Sequence, residues 1–271
     1  MRVPKLVKKL PGIMIPPQLL PPPRKPGAPK PAPKDVAADA GASVAGWVDE
    51  RTSMSPAVRW MLFRKVPKGT NWFYTLGSAT MFAFLSQAVT GVFLAMYYQP
   101  NAAGGAYESI RRINDEVFLG EFVHGMHKWG SSVMVILIFL HMARTFFFGA
   151  YKYPRELNWV VGVALLILTM LMAFTGYLLP FDQRSYWATV VGNNINGTGP
   201  LVGPYLAEFL RAGPEFGATT LSRFYAIHMM LVPGLIGALM GFHLYLVAKL
   251  GTTAPPWIKP APDELLDEEQ R

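Results

Sequence analysis

The chain contains no cysteine among its 271 residues, and charged residues make up only 15% of it. Without cysteine, the chain cannot form disulfides, iron–sulfur clusters or thioether bonds to a cofactor. Soluble domains usually carry about 25% charged residues, so the low charge favours a membrane protein. The net charge of +8 comes mostly from the N-terminal region, which gives little support to nucleic-acid binding.

Four apolar segments are each long enough to cross a bilayer, which takes about 20 residues. They cover approximately residues 72–98, 122–148, 158–179 and 221–248. The fourth contains Pro233, which a membrane helix tolerates as a kink when neighbouring groups satisfy the freed backbone. The sequence therefore predicts an all-α membrane protein with a four-helix transmembrane bundle over residues 71–250.

The distribution of positive charge predicts how the bundle is oriented. Lysines and arginines flank the first helix and crowd the second connection, whereas the long third connection has few of them. These residues are Arg59, Arg64, Lys65, Lys68, Arg144, Lys152 and Arg155. Because such residues favour the cytoplasmic side, we expect both termini in the cytoplasm and the protein in the cell inner (plasma) membrane.

The segments outside the bundle differ in composition. Residues 1–45 include PPPRKPGAPKPAPK, which predicts a disordered, polyproline-like cytoplasmic arm that either rests on anionic lipid or docks a partner. Residues 46–70 mix large apolar side chains with charges, as in an amphipathic helix at the membrane interface. Residues 180–220 are expected to form short helices on the outer surface, and residues 251–271 a polar tail.

All five histidines fall in predicted membrane helices, and four of them show a regular spacing. His127 and His141 are 14 residues apart, and His228 and His243 are 15 apart. Such an interval is about four helical turns and roughly 21 Å, so both histidines of a helix point in a similar direction at different depths. The second and fourth helices run parallel, which predicts that His127 faces His228 and His141 faces His243.

Two facing imidazole pairs are typical of bis-histidine haem sites. Histidine on both sides of the iron leaves no position for oxygen, so such a haem transfers electrons. Zinc fits less well because each pair lacks two further ligands, and a single membrane histidine is often only a structural hydrogen bonder. The sequence thus predicts two b-type haems.

Glycines repeat at a matching interval in the other two helices. Gly77 and Gly91 are 14 residues apart in the first helix, and Gly162 and Gly176 are 14 apart in the third. Glycine allows a porphyrin to approach the backbone, although small residues also serve helix packing in membranes. The same interval in three helices favours the haem interpretation.

Charged and polar residues beside the histidines are candidates for haem contacts. Lys128 and Arg144 flank the predicted ligands and are expected to pair with haem propionates, or else to extend towards the interface. His124 lies one turn before His127 and is expected to meet a propionate or water rather than iron.

At these residues the chain resembles the cytochrome b family of quinol-oxidising bc complexes, most closely the split b6 form, over about residues 75–260. The motifs are HKWGSS, PRELNWVVGV, TGYLLPFDQRSYWA and LSRFYAIH. The resemblance implies a Q-cycle, with quinol oxidised at the outer face and quinone reduced at the inner face. It implies that His127 and His228 hold the low-potential haem, and His141 and His243 the high-potential one.

The resemblance also implies an outer quinol pocket and a set of partners. Phe181, Tyr186 and Trp187 would line that pocket. The chain would act only as a subunit of a dimeric complex with a Rieske iron–sulfur protein and a c-type cytochrome, not as an enzyme alone.

The sequence departs from the family pattern at several positions. Thr75 stands where split members often carry a haem-binding cysteine, so no covalent haem is expected, and Ala248 stands where they carry arginine, which argues against a third haem. His124 replaces a common arginine, and Ala188 a common glycine. The PEWY segment is absent, and residues 214–216 are no match for it, so a separate subunit-IV-like chain is expected to complete the outer pocket.

Two other functions remain open at this point. The first is a b-type haem membrane anchor of a respiratory dehydrogenase or hydrogenase, which also uses four helices and two bis-histidine haems. It would not be expected to show PREL and GYLLPFDQ. The second is a haem-free transporter or scaffold.

Overall fold

The structure, a computed structural model, describes residues 67–258 together with residues 41, 44 and 46–52. The chain divides into two units, Met1–Lys65 and Val66–Arg271. In the first unit the described residues are helical. Nearly all of the predicted arm, residues 53–66 of the predicted interfacial helix and the tail from residue 259 lie outside the described residues.

Four helices of the second unit are long and apolar enough to cross a membrane, which confirms the predicted fold class. They are Trp72–Ala95, Gly120–Phe147, Glu156–Tyr177 and Ala218–Leu250, called the first to fourth spans below. Their mean hydropathy lies between 1.5 and 2.3, and in the apolar 18-residue stretch of each span at most 17% of the residues are buried within the protein. An α-helix satisfies its own backbone hydrogen bonds, which is why apolar segments of this length form helices in lipid.

The described residues 67–258 contain helices and no strand. In chain order the α-helices are α1 (Leu76–Ala95), α2 (Gly105–Asp115), α3 (Gly120–Phe147), α4 (Glu156–Tyr177), α5 (Gln183–Gly197), α6 (Gly203–Arg211), α7 (Ala218–Ala226) and α8 (Val232–Leu250). A 3-10 turn, Trp72–Thr75, precedes α1, and a π-helical turn, Ile227–Leu231, joins α7 to α8. The third connection holds two short helices, as expected, whereas α2 was not predicted.

The spans associate as two antiparallel pairs. Helix α1 packs mainly against α3, and α4 packs mainly against α8. Contacts between the two pairs are sparser. The pairs are therefore separated by a crevice between α3 and the fourth span, into which the histidines project.

One end of the bundle, called the loop end here, carries the first and third connections with α2, α5 and α6. Its core includes the fully buried Leu178, Leu221 and Phe224. The hydroxyl of Tyr98 donates to the carbonyl of Leu179 at 2.6 Å, linking the first and third spans. Burial raises the pKa of Tyr98 well above its usual value, so the hydroxyl keeps its proton and remains a donor.

The opposite end, called the terminal end, is where the first span begins and the fourth ends. Arg155 donates to the carbonyl oxygens of Leu250 at 3.1 Å and Gly251 at 3.2 Å. The last carbonyls of a helix lack partners within the helix, and its C-terminus carries partial negative charge. The arginine of the PREL motif thus fixes the end of the fourth span to the start of the third.

Candidate haem site

Four histidines face one another as two pairs across the crevice. The rings of His127 and His228, called the first pair, have centroids 6.3 Å apart and planes at 77°. The rings of His141 and His243, the second pair, have centroids 6.5 Å apart and planes at 78°. Each pair joins α3 to the fourth span, and the first pair lies nearer the loop end.

The ring separation fits one metal ion between the two rings of each pair. Two metal–imidazole bonds of about 2 Å account for roughly 4 Å, and the remainder is about the distance from the two ring centres to their own nitrogens. With the facing nitrogens on the line that joins the two ring centres, the gap between them is about 4 Å, which is too long for a direct hydrogen bond. Among the described residues, no group of three His, Asp or Glu gathers to complete a zinc-like site. The two-ligand geometry suits haem iron.

Each of the four glycines at the 14-residue interval lies against one histidine ring. A β-carbon added to the glycine would fall beside Cε1 of that ring, so the missing side chain makes room for the imidazole itself. The distances are 3.2 Å for Gly91 and His127, 3.1 Å for Gly77 and His141, 2.5 Å for Gly176 and His228, and 3.7 Å for Gly162 and His243.

The Nδ1 atoms of the first pair have hydrogen-bond partners that were not foreseen. Nδ1 of His127 lies 2.9 Å from Oγ1 of Thr90. Nδ1 of His228 lies 3.0 Å from the carbonyl oxygen of Met172 and 3.3 Å from Oγ1 of Thr175. Such partners orient a metal-binding histidine so that its other nitrogen faces the metal. The sequence signal was a Thr-Gly dipeptide repeated in the first and third spans.

The π-helical turn Ile227–Leu231 explains the longer histidine interval in the fourth span. An α-helix turns about 100° per residue, so 14 residues fall about 40° short of four turns and 15 exceed them by about 60°. A π-turn accommodates one extra residue. The fifteenth residue is therefore absorbed beside His228, and both histidines reach the crevice. Pro233 is the second residue after this turn, and its missing N–H would break a hydrogen bond of a continuous α-helix.

Arg144, one turn beyond His141, has hydrogen-bonding capacity that the described residues leave unused. Its guanidinium carbon lies 3.8 Å from the ring centroid of Tyr74 and 5.1 Å from that of Phe148. Its Nε and Nη2 atoms are buried without a partner among the described residues. Arg144 also borders a largely apolar cavity of about 220 Å³. Buried guanidinium groups suit anionic oxygens, which fits a haem propionate.

The two other polar candidates differ from Arg144. Lys128 is exposed. Nδ1 of His124 lies 2.8 Å from Oδ1 of Asn114, so His124 links α2 to α3. The sequence predicted that His124 contacts a haem propionate or water, whereas in the structure its Nδ1 atom has an asparagine partner.

The three candidate quinol-pocket residues lie together at the start of α5. Phe181 and Tyr186 contact edge to face at 5.8 Å, as do Tyr186 and Trp187 at 5.1 Å. Phe216 joins them, with its ring 6.3 Å from that of Tyr186 and its carbonyl accepting from the Tyr186 hydroxyl at 3.3 Å. Asp182 caps α5 through the Ser185 amide and fixes the position of this cluster. Phe216 belongs to residues 214–216, which do not match the PEWY segment.

The fold and the facing histidine pairs define a multi-pass membrane protein with two sites of bis-histidine haem geometry. Residues 62–251 match the family described as cytochrome b/b6/petB. The chain belongs to the cytochrome b/b6 family.

Individual relatives agree with this assignment. The menaquinol:cytochrome c reductase cytochrome b subunit of Geobacillus thermodenitrificans is 41% identical, over 77% of this chain and 96% of its own. Cytochrome b6 of Heliobacterium modesticaldum is also 41% identical, over 77% of this chain and 99% of its own. A solved chain of a hyperthermophilic respiratory complex III superposes with a TM-score of 0.73 at 31% identity. That match covers 80% of this chain and 59% of the solved chain.

Proposed function

We propose that this chain is the cytochrome b subunit of a bc-type quinol:cytochrome c oxidoreductase and conducts electrons across the membrane through two b-type haems. The observation that carries the proposal is the pair of facing imidazoles, repeated at two depths with a separation that fits one iron atom. The names of the relatives, a menaquinol:cytochrome c reductase subunit and a cytochrome b6, supply the reaction class. The chain acts as a subunit and not alone.

The histidines are proposed as the iron ligands. When bound, a b-type haem accepts and donates single electrons. His127 with His228, and His141 with His243, would each hold one haem iron through two imidazole nitrogens, and a haem held in this way would supply electron transfer rather than oxygen binding. The first pair is assigned the low-potential haem and the second pair the high-potential haem.

The positive residues are proposed to contact the haem edges and to set the orientation. Arg144, with two buried unpartnered nitrogens, is assigned to a propionate at the second pair. Lys128 is assigned a weaker contact at the first pair, since its side chain is exposed. Lys152 and Arg155 belong to the second connection, which lies at the terminal end of the bundle. Because positive residues favour the cytoplasmic side, they support a cytoplasmic position for the terminal end and for both termini.

Quinol chemistry is proposed to follow a Q-cycle. Quinol is oxidised at the loop end, on the outer face, beside the aromatic cluster of Phe181, Tyr186 and Trp187, whose flat rings suit a flat apolar ring. Quinone is reduced at the terminal end, on the inner face. Of the two electrons released by quinol, one is proposed to cross the membrane through the haems. The other is proposed to pass to a Rieske iron–sulfur protein and a c-type cytochrome.

An exposed apolar stripe on α5 supports a further subunit. Trp187, Val191 and Ile195 follow one another at single-turn spacing, and each has more than half of its surface exposed, at 58%, 57% and 63%. We propose that this stripe is the contact surface for the separate chain that carries the PEWY segment. Both chains would belong to a dimeric complex surrounded by lipid.

Purification of the tagged chain from its native membranes tests the proposed function. We expect an iron–sulfur protein and a c-type cytochrome to co-purify, and the complex to reduce cytochrome c when given quinol. Co-purification with a dehydrogenase or hydrogenase instead would assign the chain to a membrane anchor. A colourless preparation would leave only the scaffold interpretation.

A further inference from the structure

Two threonine hydroxyls distinguish the first histidine pair from the second. Thr90 and Thr175 each directly precede a glycine that lies against a histidine ring. Their side chains are buried, with 5% and 0% of the residue surface exposed. Oγ1 of Thr90 lies 2.9 Å from Nδ1 of His127, and Oγ1 of Thr175 lies 3.3 Å from Nδ1 of His228.

The direction of these hydrogen bonds follows from the other partners of the hydroxyls. A hydroxyl has one hydrogen to donate. The hydroxyl of Thr90 donates it to the carbonyl of Ser86 at 2.7 Å, and that of Thr175 to the carbonyl of Leu171 at 2.9 Å. Each threonine oxygen is therefore left to accept, and each histidine Nδ1–H donates.

A second acceptor fixes the same tautomer at His228. Its Nδ1 also lies 3.0 Å from the carbonyl oxygen of Met172, which can only accept. With hydrogen on Nδ1, the lone pair of each ring is on Nε2. Both histidines of the first pair thus present Nε2 as the ligand atom.

The second pair lacks the hydroxyls. The residues that precede its two glycines are Leu76 and Val161, and both are buried and apolar. Nδ1 of His243 is buried without a hydrogen-bond partner among the described residues. The backbone carbonyl of Asn158 lies beside this ring but outside hydrogen-bonding geometry.

A histidine that donates a hydrogen bond from Nδ1 is a more basic ligand through Nε2. A more basic ligand stabilises ferric relative to ferrous iron, and second-shell hydrogen bonding is a recognised control of haem potential. We infer that Thr90 and Thr175 are positioning residues that lower the potential of the haem at the first pair relative to the haem at the second pair. This inference rests on the proposed function and names residues that give the two haems unequal potentials.

Redox titration of the purified complex, followed by the haem absorption bands, tests the inference. Thr90→Val removes the hydroxyl and keeps the side-chain shape. We expect the ratio of reduced to oxidised haem in one of the two waves to rise roughly twofold to tenfold at fixed potential, the range of an ordinary hydrogen bond. Each factor of ten corresponds to about 59 mV for one electron. Thr175→Val is expected to have a smaller effect, because His228 keeps the Met172 carbonyl.

Two control variants separate ligand tuning from simple packing. Thr90→Ser restores a hydroxyl and should return the titration to that of the parent. Thr169→Val removes an equally buried hydroxyl that donates only to the carbonyl of Leu165, and it should leave both waves unchanged. A parent-like titration of Thr90→Val, or an equal shift in Thr169→Val, would overturn the inference.

A reciprocal variant keeps the test informative if Thr90→Val does not assemble. Val161→Thr adds a hydroxyl before Gly162, at the position that corresponds to Thr175. We expect the ratio of reduced to oxidised haem in the other wave to fall. If neither Val161→Thr nor Thr175→Val moves a wave, the inference is wrong even though both haems are bound. Absence of haem from the parent complex would instead refute the proposed function.

Discussion

The two histidine pairs share one framework but have different surroundings. In both, a histidine of α3 faces one of the fourth span, and each ring lies against a glycine of a neighbouring helix. The first pair has hydroxyl and carbonyl partners at Nδ1, and His228 lies about one helical turn from each of the buried residues Phe224 and Val232. Of the seven buried polar side-chain atoms without partners among the described residues, one belongs to Asn193 at the loop end, and six lie at the terminal end, on Tyr74, Arg144, Asn158, His243 and Thr253. The helical framework sets where the four imidazoles face each other, and the adjacent residues set how the two pairs differ.

The largest expected effect comes from removing a ligand of one pair. His141→Ala should remove one of the two haems and leave the other, because the second site would lose one of its two ligands while the first pair is unchanged. Haem per polypeptide, measured as the pyridine haemochromogen, should fall from two to one. His124→Ala, which removes a histidine bonded to Asn114, should keep both. Retention of both haems in His141→Ala would refute the pairing.

Two glycine substitutions in α4 compare the pairs at matched positions. A β-carbon at Gly176 would lie 2.5 Å from the His228 ring, whereas one at Gly162 would lie 3.7 Å from the His243 ring. Both alanines gain similar helix propensity, so the difference reports the ring contact. Overpacking of this kind costs about 1–3 kcal/mol. Gly176→Ala should lose haem on mild heating in detergent before Gly162→Ala does. Equal retention would show that His228 moves aside freely.

Substitution of Arg144 should weaken the second site selectively. Arg144→Met removes the buried guanidinium but retains a long side chain, and a charged hydrogen bond to a propionate contributes about 1.5–3 kcal/mol. Haem retention on dilution should fall in one site only. Lys128→Met, at an exposed position, should change retention little. A larger effect at Lys128 than at Arg144 would reverse the assignment of the propionate contacts.

The smallest effect is expected from the N-terminal arm. Deletion of residues 1–40 should leave haem content and both redox waves intact, because all four ligands lie between residues 127 and 243. Haem per polypeptide in the truncated chain provides the measurement. Loss of either haem would show that the arm stabilises the bundle.

Much of the architecture could be predicted from the sequence, since it depends on long-range periodicity. Apolar length predicted four spans, and the histidine intervals predicted that the second and fourth spans face each other. The 15-residue interval alone could not reveal the π-turn, because an extra residue and a rotated side chain have the same sequence signature. Nor did the sequence predict α2, because this amphipathic helix is short and lies in the connection between two spans.

Local contacts were harder to predict because they depend on side-chain direction. His124 looked like a haem contact by its position one turn from His127, but Asn114 is close enough to bond it. The threonines were overlooked because hydroxyls in membrane helices usually bond their own backbone, as these also do. Their second role is apparent only once the histidine rings are placed beside them.

The number of b-type haems in the purified wild-type chain tests the central claim most directly. After haem-replete expression, the pyridine haemochromogen measured against protein concentration should give two haems per chain, with reduced-minus-oxidised spectra showing low-spin b-type bands. A value of zero, or a single haem that survives loss of either histidine pair, would contradict the account.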